Sequence, residues 1–492
     1  MANHIYFSDF FQVAPETVDN YGALDISLIN DLPLFIDPFL IFCSDNPDCQ
    51  KMHDSIISYL VYLRDIATSG NEPSIAELKY FYCFPEVRQT YLGFCKSGNR
   101  GSGLGLDFAK ALHDGLKTSF SDFGNETITK GKHLEKVCLL KNGVGRDNIS
   151  DFIANLIRPF LCSFTEQFAK DNLDQCQCAI FNVDKCEFDY LMGIWKAKKF
   201  YLPMLTDPNG EQDYVLLTPR ALLVRDDAWI NRKDMIRNFT HFANAIPDEI
   251  LRDRVNSYFS AQLGKAPSRE ERELAAEFTI REYPVLTDYY IRYKEDRERD
   301  ALARNLADVT GVRQVFINQL LQLVEQLKPQ GFYNVSAPAN SYEEAMERVS
   351  YLKHVVEDCD GYRYFYDGDN PIHRESDLHI MFRLACCNTI SDANAEVNNG
   401  RGPVDFKLSR GRKDQTLVEF KLVRTLRKNL EKQVAAYKKA NDNPRAIKVI
   451  MFFTDEECKK ATKLLDELGL SDNKDIVLID ARKSNKIQAS KA

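Results

Sequence analysis

The sequence predicts an α/β protein, with a mixed sheet flanked by helices at the carboxy-terminal end and a mainly helical α+β region before it. Three observations carry this reading. From residue 341 onward apolar residues follow the order helix, three strands, helix, strand. Before that point helical periodicity dominates, broken by short strand patterns and turn clusters. The charge also divides: residues 371–492 carry a net +7 and the remainder −15.

With 492 residues, 44% of them hydrophobic, the chain can bury two or three cores. The opening MANHIYFSDF lacks the basic start and apolar run of a signal peptide. The most apolar early stretch, Leu32 to Cys43, is interrupted by Asp37 and two prolines. A cytoplasmic protein with no membrane span is therefore expected. Thirteen cysteines form an odd set without framework spacing and read as reduced thiols. Cys176, Cys178 and Cys186 have no C-x-x-C pair or histidine to complete a zinc site, and Cys386 and Cys387 read as core filling.

Residues 1–266 form the first unit, a sensor or regulatory α+β region punctuated by turns at 44–48, 96–105 and 206–213. Within it Ser150–Ala169 reads as one core helix behind a capping serine, with Phe152, Leu156, Phe160 and Phe164 at helical spacing. The glycines of GSGLG, residues 101–105, read as a turn rather than a phosphate cradle, because no companion nucleotide-binding motif accompanies them. A charged helical region, 267–328, offers faces on which two copies could pair, so a homo-oligomer is expected. Residues 329–340 combine turn formers and read as a linker.

The last unit, 341–492, opens on a helix with Ser341 and Glu344 in capping-box spacing. GYRYFYDG then reads as a strand with Tyr362, Tyr364 and Tyr366 alternating, and HRESDLHIMFRLACC as a helix. VDFKL and TLVEFKLV read as two strands of a hairpin joined through SRGRKDQ. A helix, LRKNLEKQVAAYKKA, follows. The buried strand IKVIMFF, the helix DEECKKATKLLDEL and the strand DIVLID complete the unit.

Strand alternation puts Glu419 and Lys421 on one face, while Val418, Phe420 and Leu422 turn to a core. Hydrolysis of a phosphodiester needs hard oxygen ligands for Mg2+, an oriented water, and cations near the charge that develops on phosphorus. Asp405 and Glu419 have the right oxygens. Lys421 can orient or help deprotonate the water and offset the developing charge.

These residues resemble the PD-(D/E)xK nuclease superfamily, with Asp405 as the first acid and Glu419, Phe420 and Lys421 as E-x-K. The pattern departs at Pro403, which Val404 separates from Asp405. Gln433 and Tyr437 match the family's Q-x-x-x-Y helix. The resemblance covers the carboxy-terminal unit only. It implies a restriction-endonuclease-like sheet and catalytic roles for Asp405, Glu419, Lys421, Gln433 and Glu375. It also implies Mg2+, with Mn2+ as substitute, on Asp405, Glu419 and Glu375; Glu396 competes with Glu375 as the auxiliary acid. The expected activity is endonucleolytic, on double-stranded DNA first and RNA second. The resemblance suggests an antiviral-defence effector with a partner protein of the same system. The alternative is a catalytically inactive nucleic-acid-binding or assembly protein. Arg401, Lys407, Arg410, Arg412, Lys413 and Arg424 surround the motif and could hold phosphates without reading bases.

Overall fold

The computed structural model describes residues 5–93, 104–118, 120, 122–139, 146–206, 210–333, 339–386, 392–394, 406–410, 414–423, 426 and 445–486. It is a mixed α/β structure in which helices predominate. Strands β1 (Phe35–Ile36) and β5 (Leu223–Val224) pair antiparallel. A three-stranded antiparallel sheet contains β2 (Cys178–Asp189), β3 (Ile194–Thr206) and β4 (Gln212–Tyr214). After the short pair β6 (Tyr366–Asp367) and β7 (Asn370–Pro371) comes the largest sheet. It joins β8 (Asp392–Asn394), β9 (Phe406–Ser409), β10 (Gln415–Leu422), β11 (Arg445–Phe452) and β12 (Ile476–Asp480), in the spatial order β12-β11-β10-β9-β8.

That sheet is mixed because its connections differ. Strands β9 and β10 are antiparallel, with Val418 opposite Phe406 and Gln415 opposite Ser409. From β11 to β12 the chain crosses over through the helix Asp455–Glu467, and the two strands are parallel. The two faces of the sheet have separate jobs. Val418, Phe420 and Leu422 are buried toward the helices Ser341–Asp358 and Glu375–Ala385, where the Phe420 ring meets Phe382 at 4.1 Å. Ile450 and Phe452 cluster on the other side with Ala461, Leu464 and Leu465.

One apolar cluster runs from Ile5 in the amino-terminal region to Ala481 beyond β12. Helix Glu298–Arg313 continues through a π turn, Gln314–Gln319, into Leu320–Leu327, whose Leu320, Leu323 and Leu327 belong to that cluster. Two buried anchors accompany it: Tyr6 donates its hydroxyl to Phe316 O, and Phe332 is fully buried under the Arg348 guanidinium at 4.8 Å. Residues 334–338 of the expected linker lie outside the described residues. Among the described residues no helix is long and apolar enough to cross a membrane.

Local details correct four sequence expectations. The Ser150–Ala169 helix is two helices, Arg146–Leu156 and Arg158–Asn172, because Pro159 removes an amide donor and clashes with the preceding turn. Ser150 is no cap; its Oγ accepts from Ile36 N at 3.0 Å. The cap of the 341–358 helix is Asn340, which accepts from Tyr342 N and Glu343 N, while Ser341 binds Asp414 and Thr416. Residues 361–365 form a 3-10 turn instead of a strand: Asp360 adopts φ 60°, which reverses the chain and packs Tyr362 and Tyr366 inward.

Candidate active site

The candidate site is built on β10 and the helix Glu375–Ala385. Alternation along β10 buries Val418, Phe420 and Leu422 and leaves Glu419 and Lys421 half-buried on the opposite face. Partners directly across a strand pair share a face. Lys448 stands opposite Glu419 on β11, and Lys407 opposite Leu417 on β9, so both lysines join that face.

Two ion pairs follow. Lys421 Nζ lies 3.6 Å from Glu375 Oε2, and Lys448 Nζ lies 3.4 Å from Glu419 Oε2. Lys448 is only 2% exposed, and a buried ammonium without a counter-charge would cost several kcal/mol, roughly 3–5 on breaking such a pair. Glu419 therefore serves the fold as well as any chemistry. Sequence reading passed over Lys448. The signal was a lysine inside the apolar run IKVIMFF, where only a neighbouring carboxylate makes it tolerable.

The helix Glu375–Ala385 meets β10 through its backbone too. Glu375 Oε1 accepts from Leu422 N at 3.3 Å, and His379 Nε2 lies 2.8 Å from Phe420 O. These contacts lie on either side of Lys421 in the chain, so the helix fixes Glu375 beside that ammonium. His379 was likewise invisible as a site residue, since its partner is a backbone oxygen forty-one residues away.

The expected phosphate-binding residues divide. Lys407 is 8% exposed, and Arg410 Nη2 lies 2.9 Å from Oε2 of the buried Glu344, which Arg348 also contacts at 3.4 Å. Arg410 thus has a role inside the fold, and Lys407 is buried on the sheet face. Arg401, Arg412, Lys413 and Arg424 lie outside the described residues, as do Asp405, Gln433, Tyr437 and Glu396.

Among the described residues no group of three or more His, Cys, Asp or Glu is assembled to hold a metal ion. Mg2+ commonly takes one or two protein carboxylates and completes its octahedron with water and phosphate oxygens. The donor chemistry of Glu375 and Glu419 suits it. Cys176, Cys178 and Cys186 are not gathered at such a centre either; Cys178 and Cys186 are buried and Cys176 is exposed.

Residues 12–231 match a family model described as a domain of unknown function (DUF8370). Residues 341–455 match a second one, also a domain of unknown function (DUF8371). No curated protein and no solved structure matches the chain. The second match starts at the first residue of the 341–358 helix and contains Glu375, Glu419, Lys421 and Lys448, so the candidate site falls within one family domain, similar to DUF8371.

Proposed function

We propose that the carboxy-terminal region is a metal-dependent nuclease of the PD-(D/E)xK kind, cutting phosphodiester bonds in DNA, and that the amino-terminal region regulates it. The supporting observation is the contact of Glu375 with Lys421, which brings a helix carboxylate to an E-x-K strand at the centre of a mixed sheet.

Each residue has a task in this reading. Glu419 and Glu375, with Asp405, would hold Mg2+, and the metal would supply Lewis-acid charge to the scissile phosphate. Lys421 donates to the attacking water or to a phosphate oxygen and offsets charge that grows in the transition state. Lys448 sets the position of Glu419. His379, by gripping Phe420 O, keeps the strand and the Glu375 helix in register.

The test is incubation of the full chain with plasmid, single-stranded DNA and RNA in Mg2+, Mn2+ or EDTA, beside Asp405→Ala and Lys421→Ala. Cleavage that needs metal and is lost in both folded variants is the expected result. Cleavage by Lys421→Ala at the wild-type rate would sink the site assignment, and nucleic-acid binding without cleavage in any metal would favour a non-catalytic binding protein.

A further inference from the structure

The helix that carries Glu375 is gripped by consecutive residues of the amino-terminal region. Arg374, just before it, faces Asp226: Nη1 lies 2.8 Å from Oδ1 and Nη2 donates to Oδ2 at 3.0 Å. Asp377, two residues after Glu375, accepts from Arg225 Nη2. Acid and base alternate on both sides, so the two pairs are reciprocal. A slip that brings Arg225 to Arg374, or Asp226 to Glu375 or Asp377, would set like charge against like.

The gripping segment is itself immobilised. Arg225 N donates to Asp308 Oδ2 at 2.9 Å, Arg304 Nη2 to Asp227 O at 2.8 Å, and Asn305 Nδ2 to Leu223 O at 2.6 Å. All three partners lie on the helix Glu298–Arg313. The Arg225–Asp377 pair is mostly buried, with side chains 15% and 7% exposed, whereas Asp226 and Arg374 are about two-fifths exposed, at 42% and 43%. The inner pair is thus a fixed pin, and the outer one a bidentate clasp open to solvent.

We infer that Arg225 and Asp226 are positioning residues for Glu375: through Asp377 and Arg374 they set the first turn of its helix, and with it the Glu375–Lys421 contact. Glu375 thus lies between two residues, Arg374 and Asp377, that the amino-terminal region holds. A rotation of that turn withdraws its carboxylate from Lys421 and from Leu422 N together. The region matched to DUF8370 ends at residue 231 and includes this dipeptide, so a change there reaches the candidate site through two side chains.

The activity readout rests on the nuclease reading; the structural readout does not. The outer pair is the one to vary, because removing Arg225 would strand the buried Asp377 and unfold the region. Asp226→Asn, Arg374→Gln and the double variant are compared with Asp226→Glu in the full chain. Amide hydrogen exchange over 374–380 is measured first, and cleavage kinetics with plasmid second. Each single variant is expected to raise exchange there about tenfold and lower kcat by a similar factor with KM unchanged. The double variant should be no worse than either single one, and Asp226→Glu should restore both values. Unchanged exchange in the single variants, or additive losses in the double one, would overturn the inference. If wild type cleaves nothing while exchange follows the expected pattern, the clasp stands and the nuclease reading fails.

Discussion

Two ionic networks in this molecule differ in what they enclose. Away from the carboxy-terminal sheet Lys136 Nζ sits 3.1 Å from Glu126 and 2.8 Å from Asp288, and Glu295 accepts from Lys130 N and Gly131 N and pairs with His133 at 2.9 Å. Every side chain in the Lys136 and His133 pairs is at most 11% exposed. At the carboxy-terminal sheet Glu375, Glu419 and Lys421 keep between 12% and 23% of their side chains exposed, and Lys448 beneath them is closed off at 2%. The first network fastens the 126–136 segment to the helix Leu286–Glu295, with charges closed on one another. In the second, the glutamate side chains keep part of their surface open to solvent. A deep, self-contained cluster is architecture, and a half-open one on a sheet face can exchange a lysine partner for a ligand.

The comparison can be broken most severely at the sheet. Glu419→Gln is expected to lower Mg2+-dependent cleavage at least 100-fold, about 2.7 kcal/mol in barrier, counted per folded molecule because the change also takes the counter-charge from buried Lys448. Parallel losses of cleavage and of circular dichroism would reassign Glu419 to architecture. At the closed network, Lys136→Met leaves Glu126 and Asp288 buried without their cation and should cost about 3–5 kcal/mol in urea unfolding. Cleavage per folded molecule should stay at the wild-type level.

A third test uses a buried acid with no ion-pair partner among the described residues. Asp25 accepts only from Ser8 N at 3.0 Å and Ser8 Oγ at 2.6 Å among its described hydrogen bonds, and burial pushes its pKa up to about 6 from 3.8 despite those bonds. A raised carboxyl favours folding while protonated; that contribution is complete below pH 3.8 and is lost as pH rises through about 6. Asp25→Asn should therefore stabilise the protein at pH 7 by up to about 3 kcal/mol and have little effect near pH 4. An equal shift at both pH values would contradict this assignment. Smallest of all, Lys51→Ala breaks a pair with Asp48 whose side chains are 77% and 61% exposed, and the unfolding free energy in urea should change by less than about 0.5 kcal/mol.

The site's strand was legible because alternation is local: Glu419 and Lys421 differ from Val418, Phe420 and Leu422 by period alone. The apolar run at 447–453 announced β11 for the same reason. Other features depended on distant partners. Ser341 has the spacing of a cap, yet Asp414 takes its hydroxyl and Asn340 caps instead. Tyr362, Tyr364 and Tyr366 alternate as a strand would, but the left-handed turn at Asp360 removes the first two from any sheet. Phe332 lies in a turn-rich stretch and is buried because Arg348, sixteen residues on, covers it. The clasp of Arg225 and Asp226 on Arg374 and Asp377 joins residues about 150 apart, beyond any periodicity.

The most direct measurement is calorimetric titration of Mn2+ into the full chain with an uncleavable phosphorothioate duplex present, comparing wild type, Glu419→Gln and Lys136→Met. Metal heat in wild type and in folded Lys136→Met, abolished in Glu419→Gln, is the result that this account predicts. The same heat in wild type and Glu419→Gln would contradict it.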